Sequence, residues 1–202
     1  MNQQQLLESV QNTWTVEANA IQELVRNIDQ EVILELIKVF GDCKGKILIS
    51  GCGTSAAAAK KIAHSLCCVE RPASFLSPSD AVHGGLGVLQ KEDILILISK
   101  GGNTQELINL IPACQSKGAT LIGISENPES VIAKQAKVYL KVKVSKEPCP
   151  FNMLATASTL AVIAVFDAIC IALMFTTNYT KEQFGIIHPG GAVGIRLLNQ
   201  QN

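Results

Sequence analysis

Apolar positions along this chain follow two repeat patterns that predict helices and strands in turn. From residue 3 to residue 40, apolar residues recur every three or four positions, which predicts two amphipathic helices. A break at residues 27–29 separates the helices, and Asp29 is the expected cap of the second one. Two interpretations of their apolar faces stay open: the helices pack on the sheet of the same chain, or partly on a second subunit.

Beyond residue 45, short apolar runs predict five buried strands. The runs cover residues 46–50, 72–76, 94–98, 119–124 and 138–144. Helices are expected at 56–68, from 107 to about 117, at 129–135, at 154–175 and near 180–184. Alternating strands and helices without a linker predict one α/β domain with a parallel, doubly wound sheet. Ligands bind such sheets at the carboxyl ends of the strands.

Composition and charge narrow the class of protein. The 202 residues are 48% apolar and the net charge is zero, so no basic surface for nucleic acid is expected. The N-terminus is polar, which predicts no targeting signal. The apolar stretch 154–175 is long enough to span a bilayer, but Thr156, Ser158 and Asp167 within it favour a buried core helix. We therefore expect no membrane partner.

The seven cysteines are irregularly spaced and form no C-x-x-C or Cys/His zinc pattern. This spacing predicts reduced thiols in a cytoplasmic protein and no metal site. Cys52 lies in a probable site loop, where we interpret it as a packing residue.

Two glycine-rich turns follow predicted strands. Residues 99–104, SKGGNT, stand between the run 94–98 and a predicted helix. Free backbone N–H groups and a helix N-terminus at the end of a central strand would bind anions, phosphate above all. The alternative is that the glycines only allow tight packing. The other turn, GCGTS at residues 51–55, lacks the Walker pattern.

A few ionisable side chains outside the regular elements are candidates for proton transfer: His83, Glu106, Glu147 and His188. The first and last of these are the stronger candidates, because each histidine precedes glycine or Pro-Gly. Glu106 could instead favour a helix N-terminus, and Glu147 could be an ordinary loop charge. His64, inside a predicted helix, is interpreted as a surface or packing residue.

Five motifs, in this order and spacing, resemble the sugar isomerase (SIS) domain: GCGTS, AVHGGLG, ISKGGNTQE, KEPCP and HPGGAVG. Within that superfamily the chain is most similar to the arabinose-5-phosphate isomerase group, whose members often carry CBS domains after the SIS domain. The resemblance runs from about residue 30 onwards. It implies a three-layer α/β sandwich with a five-stranded parallel sheet, in an SIS domain at residues 41–202 after a helical extension at 1–40.

The resemblance also implies an activity: conversion of a ketose phosphate into an aldose phosphate through a cis-enediol, such as ribulose 5-phosphate into arabinose 5-phosphate. By position, it assigns catalysis and substrate binding to His188, Glu147, His83 and Glu106, with His188 moving the proton. It places the phosphosugar against Thr54, Ser55, Ser99, Lys100, Gly101, Gly102, Asn103 and Thr104. No cofactor or metal is implied. A neighbouring subunit completes the site, so a homodimer or homotetramer is expected.

The chain departs from the group's pattern at three positions. Thr54 stands where the group has lysine, and Gly101 and Asn103 replace a serine and a glutamate of its phosphate loop. A charge-assisted contact contributes about 1.5–3 kcal/mol, so these losses could reduce affinity or rate. We hypothesise that Lys100 supplies the missing positive charge. The alternative function is a non-catalytic module that binds a phosphosugar or a sugar nucleotide.

Overall fold

The parallel sheet consists of five short strands. The computed structural model describes residues 2–191 and residue 194. The strands are Ile47–Gly51 (β1), Ala73–Phe75 (β2), Ile94–Ile98 (β3), Thr120–Ser125 (β4) and Val138–Lys141 (β5). Their order is β2-β1-β3-β4-β5, and every neighbouring pair is parallel. The predicted fold class is therefore confirmed. The strand order reverses between β1 and β3, which is where such sheets bind ligands.

Helices cover both faces of this sheet. They are Gln3–Asn27 (α1), Gln30–Asp42 (α2), Thr54–Cys67 (α3), Pro78–Ala81 (α4), Gln105–Ile108 (α5), Ile111–Lys117 (α6), Val131–Gln135 (α7), Ala157–Thr176 (α8) and Lys181–Ile187 (α9), with a 3₁₀ helix at Gly85–Val88. The Asp29 side chain accepts hydrogen bonds from the N–H groups of Glu31 and Val32. The predicted cap of the second helix is thus confirmed.

The alternation of isoleucine and leucine along β3 divides the core into two layers. Ile94, Ile96 and Ile98 pack in the layer that α1, α2, α3 and α8 cover. Leu95 and Leu97 pack in the opposite layer, with α5, α6 and α7. Successive side chains of a strand point to opposite sides, so both faces of the sheet are covered by apolar side chains that exclude water. The result is the expected three-layer sandwich.

The prediction of one helix from residue 107 to 117 is wrong. The structure has two short helices, with α5 ending at Ile108 and α6 beginning at Ile111. Pro112 is in the first turn of α6. Proline lacks an N–H group and disfavours a helical conformation in the residue before it, so a continuous helix is interrupted here. Other differences are confined to element ends: β5 stops at Lys141 and α8 begins at Ala157.

The apolar helix α8 is buried on one face only. Among the described residues it is long and apolar enough to cross a membrane, and 39% of its most apolar stretch is buried inside the protein. Its inner face packs against α1, α2 and α3, as predicted for a core helix. Its outer face leaves Leu160, Ile171 and Phe175 exposed.

The N-terminal helix α1 also has an open apolar side. Val16 and Ala20 are buried, and the helix packs along α8 rather than on the sheet. Leu7, Val10 and Trp14 remain exposed. Packing on the sheet of the same chain therefore holds for α2, which contacts β5, but not for α1, and a second subunit stays a prediction for the open side of α1.

Asp93 ties the start of β1 to the turn before β3. Its carboxylate is 2% exposed and accepts hydrogen bonds from the N–H of Lys46 at 2.8 Å, from Lys46 Nζ at 2.7 Å and from the N–H of Gln90 at 2.7 Å. Burial raises the pKa of Asp93, but the hydrogen bonds from Lys46 and Gln90 outweigh burial, so the pKa lies below its ordinary value.

We predict that Asp93→Asn lowers the free energy of unfolding by about 1.5–3 kcal/mol at pH 7, since charge-assisted bonds are lost. A carboxylate with a lowered folded-state pKa stabilises the fold above its unfolded pKa of about 3.9, and this contribution disappears as the pH falls through the folded-state pKa. The difference between the two proteins should therefore shrink in acid.

Urea unfolding at pH 7 and below pH 4 tests this expectation. Glu129→Gln is the matched control, because Glu129 pairs with Lys134 at the exposed surface and should matter little at either pH. Equal stability of the Asp93→Asn variant and the parent at pH 7 would contradict the prediction.

Candidate functional site

The turn at residues 99–104 joins the end of β3 to α5 and is fixed by hydrogen bonds. The hydroxyls of Ser99 and Thr104 lie 2.7 Å apart, and the N–H of Gly102 donates to Ser99 Oγ at 3.0 Å. Asn103 Oδ1 accepts from the N–H of Val131 at 2.9 Å, which attaches the turn to α7. The turn is therefore a preformed structure.

Several backbone donors of this turn remain open. Within the described part of the chain, the N–H groups of Gly101, Asn103 and Thr104 have no protein acceptor, whereas that of Gly102 is used inside the turn. Thr104 precedes α5 without a side-chain cap. Open N–H groups in a glycine-rich turn at a strand end suit an anion. Of the four backbone N–H groups predicted to contact a ligand, those of residues 101, 103 and 104 are thus available. The N–H of Gly102 instead forms a hydrogen bond within the turn.

A small cleft of about 70 Å³ lies between this turn, the start of α3 and the start of α8. Thr54, Ser55, Ser99, Lys100, Ser125, Ser158 and Thr159 bring hydroxyl and ammonium groups to it. Apolar side chains, among them Ile98 and Val162, form the rest of its wall. Converging polar groups in an apolar wall are typical of a small-molecule site. This space is called the cleft below.

Glu147 is buried beside the cleft. Its Oε1 accepts from Lys100 Nζ at 2.8 Å and from Ser158 Oγ, and its Oε2 accepts from the N–H groups of Thr156 at 3.0 Å and Ser158 at 3.4 Å. Burial raises the pKa of Glu147, but the hydrogen bonds from Lys100, Ser158 and Thr156 outweigh it, and the pKa lies below its ordinary value. Glu147 is therefore a carboxylate at neutral pH that caps the start of α8.

Lys100 lies in the cleft, and the structure adds a partner that the sequence does not indicate. Its side chain is 37% exposed, whereas the side chain of Glu147 has no exposed surface. Of the described residues that line the cleft, Lys100 alone carries a positive charge. The lysine hypothesised to supply the positive charge thus lies in the cleft, where it is paired with Glu147, and its contact with a phosphate stays a prediction.

Glu106 and His83 lie at the same end of the sheet but outside the cleft. Glu106 is exposed in the first turn of α5. Burial, followed by the nearby charge of Glu106, raises the pKa of the Cys52 thiol in the 51–55 turn. His83 is exposed just after α4, and α4 packs against α5. Cys52 packs against the core, as predicted.

His188 does not join the cleft of its own chain. It ends α9, stacks on Phe184 with ring centroids 3.9 Å apart, and lies with Nδ1 2.9 Å from Phe184 O. Gln183 in α9 donates to Glu70, just beyond the end of α3. Since α3 begins at the cleft and has 14 residues, its far end is about 20 Å away. His188 is not among the described residues that line the cleft, and its catalytic role, with a second subunit to bring it there, stays a prediction. Ala192 and Val193 of the HPGGAVG motif lie outside the described residues.

Sequence reasoning missed the cleft residues Ser125, Ser158 and Thr159. Ser158 and Thr159 lie in the stretch that we interpreted as a core helix, where the sequence shows them only as polar positions within an apolar segment. A signal for Ser125 was available, because β1, β3 and β4 each end in or next to a serine: Ser50, Ser99 and Ser125.

All seven cysteines are free thiols. Among the described residues, no three His, Cys, Asp or Glu side chains are grouped to hold a metal ion.

Comparison with known protein families agrees with this geometry. The profile of the SIS domain matches residues 42–172. The chain belongs to the SIS domain family. The resemblance inferred from the five motifs is therefore confirmed.

Curated SIS relatives are longer than this chain. Arabinose 5-phosphate isomerase KdsD of Pseudomonas aeruginosa is 37% identical over 201 residues, which are 98% of this chain and 61% of that protein. The KdsD protein of Escherichia coli strain K12 is 38% identical over 187 residues, which are 93% of this chain and 57% of that protein. The chain thus spans about three fifths of the length of these curated relatives.

Solved SIS structures match over their whole length. A candidate sugar-phosphate isomerase from Listeria monocytogenes strain 4b F2365 has 63% sequence identity and a TM-score of 0.93, covering 94% of this chain and 100% of that one. The protein c3406 of E. coli CFT073, in complex with arabinose 5-phosphate, has 30% identity and a TM-score of 0.89, with the same coverage. These matches agree with the fold described above.

The two adjacent glycines of the SIS turn give a matched pair of variants. Gly102 has a φ of +73°, and a Cβ atom there would collide with the side chain of Ser130. Gly101 has open space at its Cβ position. We predict that Gly102→Ala lowers the free energy of unfolding by about 2 kcal/mol or more. Gly101→Ala should stay within about 0.5 kcal/mol of the parent. Chemical unfolding measures both, and equal effects would contradict the close contact with Ser130.

Proposed function

We propose that this SIS protein is an aldose–ketose isomerase of sugar phosphates, with arabinose 5-phosphate and ribulose 5-phosphate as the first pair to test. The observation that carries the proposal is the cleft at the carboxyl ends of the strands. There, several hydroxyls and one ammonium converge next to a buried carboxylate, and the adjoining 99–104 turn carries open N–H groups. The printed activity of the KdsD relatives and the arabinose 5-phosphate bound to c3406 support the choice of sugar.

Phosphate binding is assigned to the two turns that face the cleft. Ser55, Ser99 and Thr104 offer hydroxyls, Lys100 offers a positive charge, and the open amides of residues 101, 103 and 104 complete the donors. Each is a donor, as the phosphate oxygens require. Thr54 adds a hydroxyl where the resemblance places a lysine.

Proton transfer is assigned to the carboxylates and imidazoles around the cleft. An aldose–ketose conversion needs a group that takes a proton from one carbon and returns it to the next. Glu147 is the candidate closest to the phosphate donors, since it contacts Lys100. Glu106 and His83 lie on the α5 side of the same sheet end. His188 would come from a neighbouring subunit.

A homodimer or homotetramer belongs to the proposal, because His188 lies far from the cleft within one chain. The exposed apolar faces of α1 and α8 support it. They include Leu7, Val10 and Trp14 on α1, and Leu160 and Phe175 on α8. Exposed apolar surface of this kind marks association sites. We assign the assembly to the cytoplasm, as the free thiols suggest.

A binding module without turnover is the second candidate. The observation that favours it is the engagement of Glu147, whose four hydrogen bonds hold the pKa below its ordinary value and weaken it as a base. Thr54 in place of a lysine points the same way.

The direct test is turnover in deuterated water. We expect arabinose 5-phosphate to be converted into ribulose 5-phosphate with uptake of deuterium on carbon, because the enediol exchanges its proton with solvent. Glu147→Gln should lower kcat by about 100-fold or more, since general bases contribute 10²–10⁴-fold. NMR spectroscopy follows both the sugar and the exchange. Stoichiometric binding without turnover or exchange on any pentose or hexose phosphate would leave only the binding module.

A pair of variants tests the role of Lys100 in binding. Lys100→Ala should weaken the affinity for arabinose 5-phosphate by about 10- to 150-fold, which corresponds to 1.5–3 kcal/mol for a charge-assisted contact. Adding Thr54→Lys to that variant should restore much of the affinity, because the new ammonium lines the same cleft. Isothermal titration calorimetry measures both. Unchanged affinity of the Lys100→Ala variant would disprove the role.

A further inference from the structure

Lys100 has two possible anionic partners and only one ammonium group. Its Nζ lies 2.8 Å from Glu147 Oε1, while its side chain lines the same cleft as Thr54, Ser55 and Ser99. The two members of the ion pair differ in freedom. The Glu147 side chain is fully buried, whereas the lysine is 37% exposed on a flexible stem. Lys100 is therefore the member of the pair that can move.

Glu147 does not depend on Lys100 to stay in place. Three further donors hold its carboxylate: the N–H groups of Thr156 and Ser158 and the hydroxyl of Ser158. Its backbone N–H is fixed as well, by Asn152 Oδ1 at 2.7 Å. If the lysine turned away, the carboxylate would keep its position and lose its counter-charge.

We propose that Lys100 is shared between Glu147 and the phosphate of the substrate. Lys100 neutralises Glu147 in the ion pair described above, and when a sugar phosphate enters the cleft it moves to the phosphate and leaves Glu147 free to accept a proton. The proposal rests on the isomerase function proposed above and adds to it a coupling: substrate binding itself produces the base.

The electrostatics of the site give this exchange its direction. Burial raises the pKa of Glu147, and the hydrogen bond from Lys100 is the largest effect that lowers it. Removal of Lys100 therefore raises the pKa of Glu147, and a phosphate dianion nearby raises it further. Lys100 is the charged side chain among the largest effects on the pKa of Glu147, and the start of α8 supplies further positive potential. A base with a pKa closer to the working pH transfers protons more efficiently.

The proton transfer that this arrangement supports is balanced. Glu147 takes the proton from C2 of the aldose, and the C2–H electron pair becomes the C1=C2 double bond of the enediol while O1 takes up a proton. O2 then gives up its proton to form the ketone, and the proton on Glu147 returns to C1. The sugar is isomerised without any oxidant or reductant.

The test uses sulfate as the probe, because it stays a dianion over the whole range in which carboxylates titrate. The carboxyl signal of Glu147 is followed by NMR in protein with ¹³C-labelled glutamate, and it is assigned by its absence in the Glu147→Gln variant. With saturating sulfate, we expect the titration midpoint of Glu147 to move to higher pH. Sodium chloride at equal ionic strength is the control, because screening alone weakens an ion pair. The Lys100→Met variant should show the high midpoint already without sulfate.

Two results would overturn the proposal. One is a Glu147 midpoint that sulfate leaves where sodium chloride leaves it, and the other is a wild-type protein that binds no sulfate in the cleft. Neither measurement needs turnover, so the proposed exchange of Lys100 can be disproved even if the protein is an active isomerase. Conversely, a sulfate-dependent midpoint in a protein that converts no sugar phosphate would support the exchange of Lys100 and refute the isomerase function.

Discussion

The candidate site depends on one ion pair, between Lys100 and Glu147. It joins the turn after β3 to the loop before α8, two segments that are 47 residues apart in sequence. The same carboxylate caps α8 through Thr156 and Ser158, so the start of that helix and the 99–104 turn are held by a single buried charge. Such a charge is stable only when it is paired and hydrogen-bonded. The cleft between these segments is therefore set by electrostatics as much as by packing.

The core explains why the polar groups meet at one end of the sheet. The strands run parallel, and their alternating side chains are consumed by the two apolar layers. Where β3 and β4 end, polar side chains follow the apolar ones, as Ser99 and Ser125 do. The carboxyl ends of all strands lie on the same edge of a parallel sheet. These hydroxyls therefore come together because of the strand direction, whatever the length of the connecting loops. The glycine at 102 then lets the turn approach Ser130 closely.

Local patterns in the sequence were enough for the fold and for half of the site. The run Ile94–Ile98 predicted β3 to the residue, and the glycines after it located the turn. The pairing of Lys100 with Glu147 could not be predicted, because it depends on how a distant loop returns to the sheet. The position of His188 is also non-local: its neighbours in sequence pack at the far end of α3. Ser158 could not be recognised as a site residue for a different reason: a hydroxyl side chain within an apolar helix usually binds no ligand.

If Lys100 replaces the charge of the lysine that the resemblance places at position 54, more changes than the position of that charge. A cation at the start of α3 would lie on a different element from the turn that contacts Glu147. In this chain the lysine is on the turn itself, where it reaches the buried carboxylate. In the proposed exchange, a ligand phosphate and Glu147 draw on the same ammonium, and an ion pair that one of them gains is lost to the other. Binding and proton transfer would then be linked through a single side chain.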